Sequence, residues 1–137
     1  MKRLALLTLA SLAAMAPMTG VASAKTYTAK SIIQQDNSFC GDFVEGLKEI
    51  GIATLKRTGN SVTTVYVLKS GLPDTEYSIE LWGGSCEYLG ELASFTTNKH
   101  GAGKGKGAMS VPAGDTSFFA TGVTQGTASD SVAVELP

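Results

Sequence analysis

The chain has 137 residues, with 11 basic and 12 acidic side chains, a single His and two Cys. This near balance provides no general field for nucleic acid, and one His falls short of the three or four protein ligands that zinc takes. The length suits one domain.

Met1, Lys2 and Arg3 open the sequence, an uncharged run from Leu4 to Ala16 follows, and Val21-Ala22-Ser23-Ala24 precedes Lys25. A basic start, an apolar middle and a small-x-small site in that order predict a secretory signal peptide over residues 1–24. The apolar run is shorter than the roughly 20 residues of a membrane span, so no span is expected after cleavage. No Cys directly follows the run to accept a lipid. The mature product, residues 25–137, is expected to be a soluble single domain, extracellular or periplasmic. Loss of Lys2 and Arg3 leaves 9 basic against 12 acidic side chains, a mildly acidic domain.

Both cysteines, Cys40 and Cys86, lie in the mature part. In an oxidising compartment an even pair is most simply a structural disulfide. Closing a loop of about 46 residues stabilises by about 4 kcal/mol in the chain-entropy description. The other reading is a reactive Cys40 within Phe39-Cys40-Gly41-Asp42. With one His in the chain and Cys86 available as a partner, it is the weaker one.

From Lys25 onward, short apolar runs rich in Thr and Val alternate with turn signals, the pattern of an all-β sandwich. Strands are predicted over Thr26 to Gln34, Ile50 to Arg57, Ser61 to Lys69, Glu76 to Trp82, Leu89 to Thr97, Lys106 to Val111, Thr116 to Thr121 and Ser131 to Leu136, seven or eight in all. Thr58-Gly59-Asn60 reads as a tight hairpin, and Gly71-Leu72-Pro73-Asp74 cannot continue a central strand. Alternation places Tyr77, Ile79 and Leu81 on one face and Ser78, Glu80 and Trp82 on the other. In the last strand it places Val132, Val134 and Leu136 inward, and Ser131, Ala133 and Glu135 outward. Asp42-Phe43-Val44-Glu45 resembles a capping box, and Phe43, Val44, Leu47 and Ile50 recur at helical spacing. Gly46 weakens that segment to one short helix or a turn.

Gly71-Leu72-Pro73-Asp74-Thr75-Glu76-Tyr77 resembles the Leu-Pro-x-Thr-x-Tyr corner of fibronectin type III domains. The resemblance implies a structural Tyr77, buried, with its hydroxyl bonded back to the upstream backbone. More strands follow this corner here than in that family. The run from Val65 through Gly71-Leu72 to Trp82-Gly83-Gly84-Ser85-Cys86 resembles the centre of copper–zinc superoxide dismutases and chordin-type domains. Glu76, Tyr77, Ile79 and Leu81 stand where that family carries metal-binding histidines, so the resemblance implies the sandwich without the metal. The chain is also similar to small secreted bacterial sandwich proteins of no assigned activity. Together these imply an Ig-like antiparallel β-sandwich and no cofactor, with no activity carried over.

The segment Asn98-Lys99-His100-Gly101-Ala102-Gly103-Lys104-Gly105-Lys106-Gly107 interleaves glycines with three lysines and the only His. Its amides and lysines could cradle phosphate or sulfate, which makes Lys99, His100, Lys104 and Lys106 candidates for an anionic polysaccharide. The spacing is not that of a P-loop, and a long hairpin kept soluble by its lysines is the plainer reading. Trp82 faces away from Tyr77, Ile79 and Leu81, near Tyr88, where it would stack on a sugar ring or anchor a protein interface. The plainer reading there is a strand-end Trp covered by the loop that carries Cys86. Glu76, Glu80, Glu87, Glu91, Asp42 and Asp74 leave open a hydrolase built on paired carboxylates, although their pattern reads as a solvated surface. A protease inhibitor would present the segment from Gly83 to Gly90.

The expectation is therefore a secreted, non-enzymatic binding or cell-envelope module. Its partner is expected to be a protein or a cell-surface glycan, not nucleic acid.

Overall fold

The protein is described by a computed structural model over residues 24–137; the signal peptide reading lies outside the described residues but for its last position. Among these residues no helix forms, and the chain runs as β1 (Thr26–Gln34), β2 (Glu49–Thr58), β3 (Ser61–Leu68), β4 (Glu76–Gly83), β5 (Glu87–Thr96), β6 (Gly103–Ser110), β7 (Ser117–Thr124), β8 (Thr127–Asp130) and β9 (Val134–Glu135). One sheet has the order β1-β2-β3-β6. The other has β5-β4-β7-β8, with β9 also on β7. Every pairing is antiparallel. The all-β, two-sheet expectation holds.

Alternation builds the core. Val62, Tyr66 and Leu68 of β3 point inward with Ala53 and Leu55 of β2, against Tyr77, Ile79 and Leu81 of β4 and Phe118 and Ala120 of β7. Tyr66 crosses the whole layer: its hydroxyl donates to Ser129 O at 2.6 Å and accepts from Gly122 N–H at 3.1 Å. A Cβ on Gly122 would stand 2.6 Å from that oxygen, so glycine is what lets the tyrosine reach. Desolvation raises the Tyr66 pKa, which keeps the hydroxyl a donor.

Arg57 also points inward, at the end of β2, and is almost fully buried. Backbone carbonyls disperse its charge: Nε donates to Gly59 O at 2.8 Å, and Nη1 donates to Leu136 O at 3.0 Å and to Asp115 O. Its guanidinium lies 5.5 Å from the centre of the Phe118 ring.

Both sides of the sandwich are covered. On one, Ile33 bridges to Ser131, and Val132 N–H donates to Ile32 O at 3.0 Å. On the other, β6 runs alongside β5. Here the structure corrects the sequence reading: the glycine–lysine segment is not a long loop, and β6 begins at Gly103 rather than Lys106. Its alternation has glycine inside and lysine outside. A Cβ on Gly107 would come within 2.4 Å of Leu92 O, and one on Gly105 within 2.5 Å of Ile79 Cδ1. Only glycine allows the edge of one sheet to lie this close to the other.

Three further elements differ from expectation. The segment from Asp42 to Lys48 has turns and no helix, because the buried Gln34 amide pairs with both the N–H and the carbonyl of Val44, at 2.9 and 2.8 Å. The last predicted strand, Ser131 to Leu136, shrinks to β9, and β8 forms just before it, where no strand was expected. Ser131 between them, expected to face outward, is fully buried, with its hydroxyl accepting from Ala120 N–H at 3.0 Å. The segment from Gly83 to Gly90 is mostly strand, since only residues 84–86 connect β4 to β5. Cys86 N–H donates to Gly83 O at 2.9 Å and Cys86 takes φ 68°, the left-handed position that closes a three-residue hairpin.

Candidate functional site

The outer face of the second sheet carries Glu80 and Trp82 from β4, Phe119, Thr121 and Val123 from β7, and Asp130 from β8. The segment between β1 and β2 folds over part of it. Cys40 in that segment is bonded to Cys86, with Cα atoms 5.0 Å apart. The segment is built on a second buried amide: Asn37 donates to Gln34 Oε1 at 3.1 Å and to Asp42 O at 2.9 Å, while its own oxygen accepts from Phe39 N–H at 3.0 Å. The strand beneath adds two anchors. Asp130 N–H donates to Asn37 O at 2.9 Å, and Gly41 N–H donates to Asp130 Oδ2 at 3.2 Å.

Phe119 lies under this cover and is 2 % exposed although it points away from the core. A Cβ on Gly41 would meet its ring at 2.7 Å. Trp82 stacks on Phe119 with centroids 6.2 Å apart and planes 16° apart, and Tyr88 meets Trp82 edge-on at 5.3 Å. The indole N–H donates to Glu80 Oε2 at 3.1 Å. What the cover leaves open is a groove of about 160 Å³ between the disulfide and the aromatic stack, with Asp130 at one end. That volume is below the roughly 300 Å³ at which drug-sized ligand pockets start, and suits one side chain or one sugar ring.

Asp130 is buried, and burial raises its pKa despite the bonds from Thr121 Oγ1, at 2.7 Å, and Gly41 N–H. Each carboxylate oxygen has one bond here and keeps capacity for another. Phe39 and Phe43 in the covering segment, and Tyr88 on β5, are more than half exposed. Phe39 directly precedes Cys40 and Tyr88 stands two residues after Cys86, so each half-cystine has an exposed aromatic side chain close to it in sequence.

The residues singled out from sequence fall into three places. Trp82 and Tyr88 belong to the groove. Lys99 and His100 lie in the turn at the far end of the β4–β5 hairpin, where Glu76 pairs with Thr96. At about 3.4 Å per residue that is roughly 20 Å from Trp82. This turn is firmly bonded: Asn98 Oδ1 accepts from His100 N–H and Ala102 N–H at 2.9 and 3.0 Å, and Gly101 O accepts from Gly71 N–H at 2.8 Å. Lys104 and Lys106 project from β6 on the outer face of the first sheet, so Trp82 and the lysines do not converge. Tyr77 is buried beside Phe95, and its hydroxyl accepts from Leu72 N–H at 2.9 Å.

Of the carboxylates, Glu80 and Glu91 are direct cross-strand partners, with Glu91 fully out on the open face. Among the described residues, no three His, Cys, Asp or Glu side chains gather as a metal site, and no helix is long and apolar enough to cross a membrane.

Sequence reasoning missed Phe119, Asp130 and the exposed Phe39 and Phe43. The signal for Phe119 was its neighbour: in Phe118-Phe119 of a strand, one ring must face outward.

The chain is thus a disulfide-stapled antiparallel β-sandwich with a small aromatic groove on one outer face. No protein-family model, no curated protein and no solved structure matches it.

Proposed function

We propose that this protein is an exported, non-enzymatic binding module of the cell envelope or its surroundings, with its ligand seat in the Trp82–Phe119 groove. The observation that carries this reading is the aromatic stack held ready under a disulfide-tethered, hydrogen-bonded cover. Groups fixed before the ligand arrives lose little entropy on binding, which favours recognition. The groove suits one ring or one side chain. A pyranose ring stacked on Trp82, with a hydroxyl donating to Asp130, is the arrangement its chemistry favours. The disulfide accords with an oxidising compartment, and with the signal peptide expected over residues 1–24.

The finer structural likeness we infer is to the superoxide dismutase and chordin-type sandwich without its metal. In immunoglobulin-type domains the third strand opens the second sheet, whereas β3 here stays hairpin-paired to β2 in the first.

Trp82 is the only tryptophan, so its emission reports on the groove alone. Titration of the mature domain with a panel of neutral oligosaccharides, paired with a glycan array, should give at least one ligand that shifts the emission and is lost in Trp82→Ala. Failure of every glycan to shift it, with array signals that survive Trp82→Ala, would remove the groove as the seat.

A further inference from the structure

We propose that the outer face of the first sheet, opposite the groove, is a docking surface for an anionic polysaccharide. Strand register sets its composition. Lys30, Thr54, Val65 and Lys106 are direct partners in one row across β1, β2, β3 and β6. The next row toward the Gly103 end of β6 is Ile32, Ile52, Val67 and Lys104. On the other side, Lys56 stands between Thr28 and Thr63, with Ala108 beyond. The four lysines are exposed, and none of these rows contains Asp or Glu.

The opposite outer face carries Glu76, Glu80 and Glu91 and no Lys or Arg in its paired rows. A chain with a formal charge of −1 has therefore sorted its charges by face. Lys104 and Lys106 stand about 7 Å apart along β6, and Lys30 lies about 14 Å from Lys106 across three strand spacings. Such an array suits a polymer with repeating negative charges better than a single small anion.

The groups between the lysines choose the kind of polymer. Threonine hydroxyls suit sugar hydroxyls, and the half-buried Ile52, Val65 and Val67 suit the C–H face of a pyranose. No aromatic ring lies in these rows, whereas single-stranded nucleic acid is held largely by stacking on aromatic side chains. A polysaccharide with carboxylate or sulfate groups meets all three features.

The test measures binding of the full mature domain to heparin and to polygalacturonate at low and high salt, beside neutral dextran and phosphatidylglycerol vesicles. Wild type should bind the two acidic polymers and not dextran. Lys104→Gln/Lys106→Gln and Lys30→Gln/Lys56→Gln should each weaken binding about tenfold, as expected for two partly screened ion pairs. Lys48→Gln/Lys99→Gln makes the same change in net charge outside these rows and should weaken binding less than either pair. Trp82→Ala should also bind as wild type, which separates this surface from the groove. Equal loss in the control pair, loss in Trp82→Ala, or binding to vesicles alone overturns the proposal. So does concentration-dependent self-association abolished by Glu80→Gln/Glu91→Gln, which would make the acidic face of a second copy the occupant.

Discussion

Cys40 and Cys86 are bonded to each other while both hold positive φ, 54° and 68°, a backbone region that non-glycine residues seldom enter. The bond joins the cover to the β4–β5 turn, so the shape of the groove depends on a covalent link between two locally unfavourable conformations. Cys40→Ala/Cys86→Ala should lower unfolding free energy by up to about 4 kcal/mol, the loop-closure entropy less the strain relieved. Urea titration with and without reductant measures it. Trp82 emission should also shift to the red as the cover loosens over Phe119.

The close approach of β6 to β5 makes a paired test. Gly107→Ala puts a methyl group against Leu92 O and should destabilise by at least about 2 kcal/mol, through backbone displacement. Gly114→Ala meets nothing within 4 Å and should stay within about 0.5 kcal/mol of wild type. Thermal or urea unfolding of the two variants side by side decides it. Equal effects would contradict the packing described for β6.

Removal of one oxygen from Tyr66 should cost more than its apolar burial suggests. Tyr66→Phe keeps the ring but strips Ser129 O and Gly122 N–H of a shared partner inside the core. The expected loss is about 2–4 kcal/mol, against about 1 kcal/mol for Tyr77→Phe, where a single N–H near the surface loses its acceptor.

Stability should depend on pH through Asp130. Burial raises its folded pKa above the unfolded value, so folding takes up a proton in the window between the two. The stability from this group is fully present below the unfolded pKa and is lost as pH rises through the folded one. Asp130→Asn removes that dependence. The stability difference between wild type and variant should therefore move in favour of wild type as pH falls from neutral into the acid range, as urea midpoints at successive pH values would record.

Export gives the simplest check. Protein recovered from the periplasm or medium should begin at Lys25 by intact mass, and a chain that retains Met1 in the cytoplasm would contradict the signal peptide reading.

Much of the fold was legible because alternation carries it. In β4 the order of Tyr77, Ile79 and Leu81 against Ser78, Glu80 and Trp82 assigns both faces. The disulfide was legible because two cysteines in an exported chain have only each other. The β6 strand was not, since its inward residues are glycines, which give no apolar signal, and its outward lysines look like a solvated loop.

What the sequence determined by itself, then, is the set of strands with a clear apolar face, the cysteine pair and the expectation of export, all properties of local pattern and residue chemistry. Tertiary structure alone decided that Phe119 is buried on the outside by a tethered segment, that Arg57 is solvated by carbonyls from distant turns, and that Lys104 and Lys106 join Lys30 and Lys56 instead of Trp82. Each of these depends on pairing register and on contacts between residues far apart in the chain. A one-residue change of register would send every side chain of a strand to the other face.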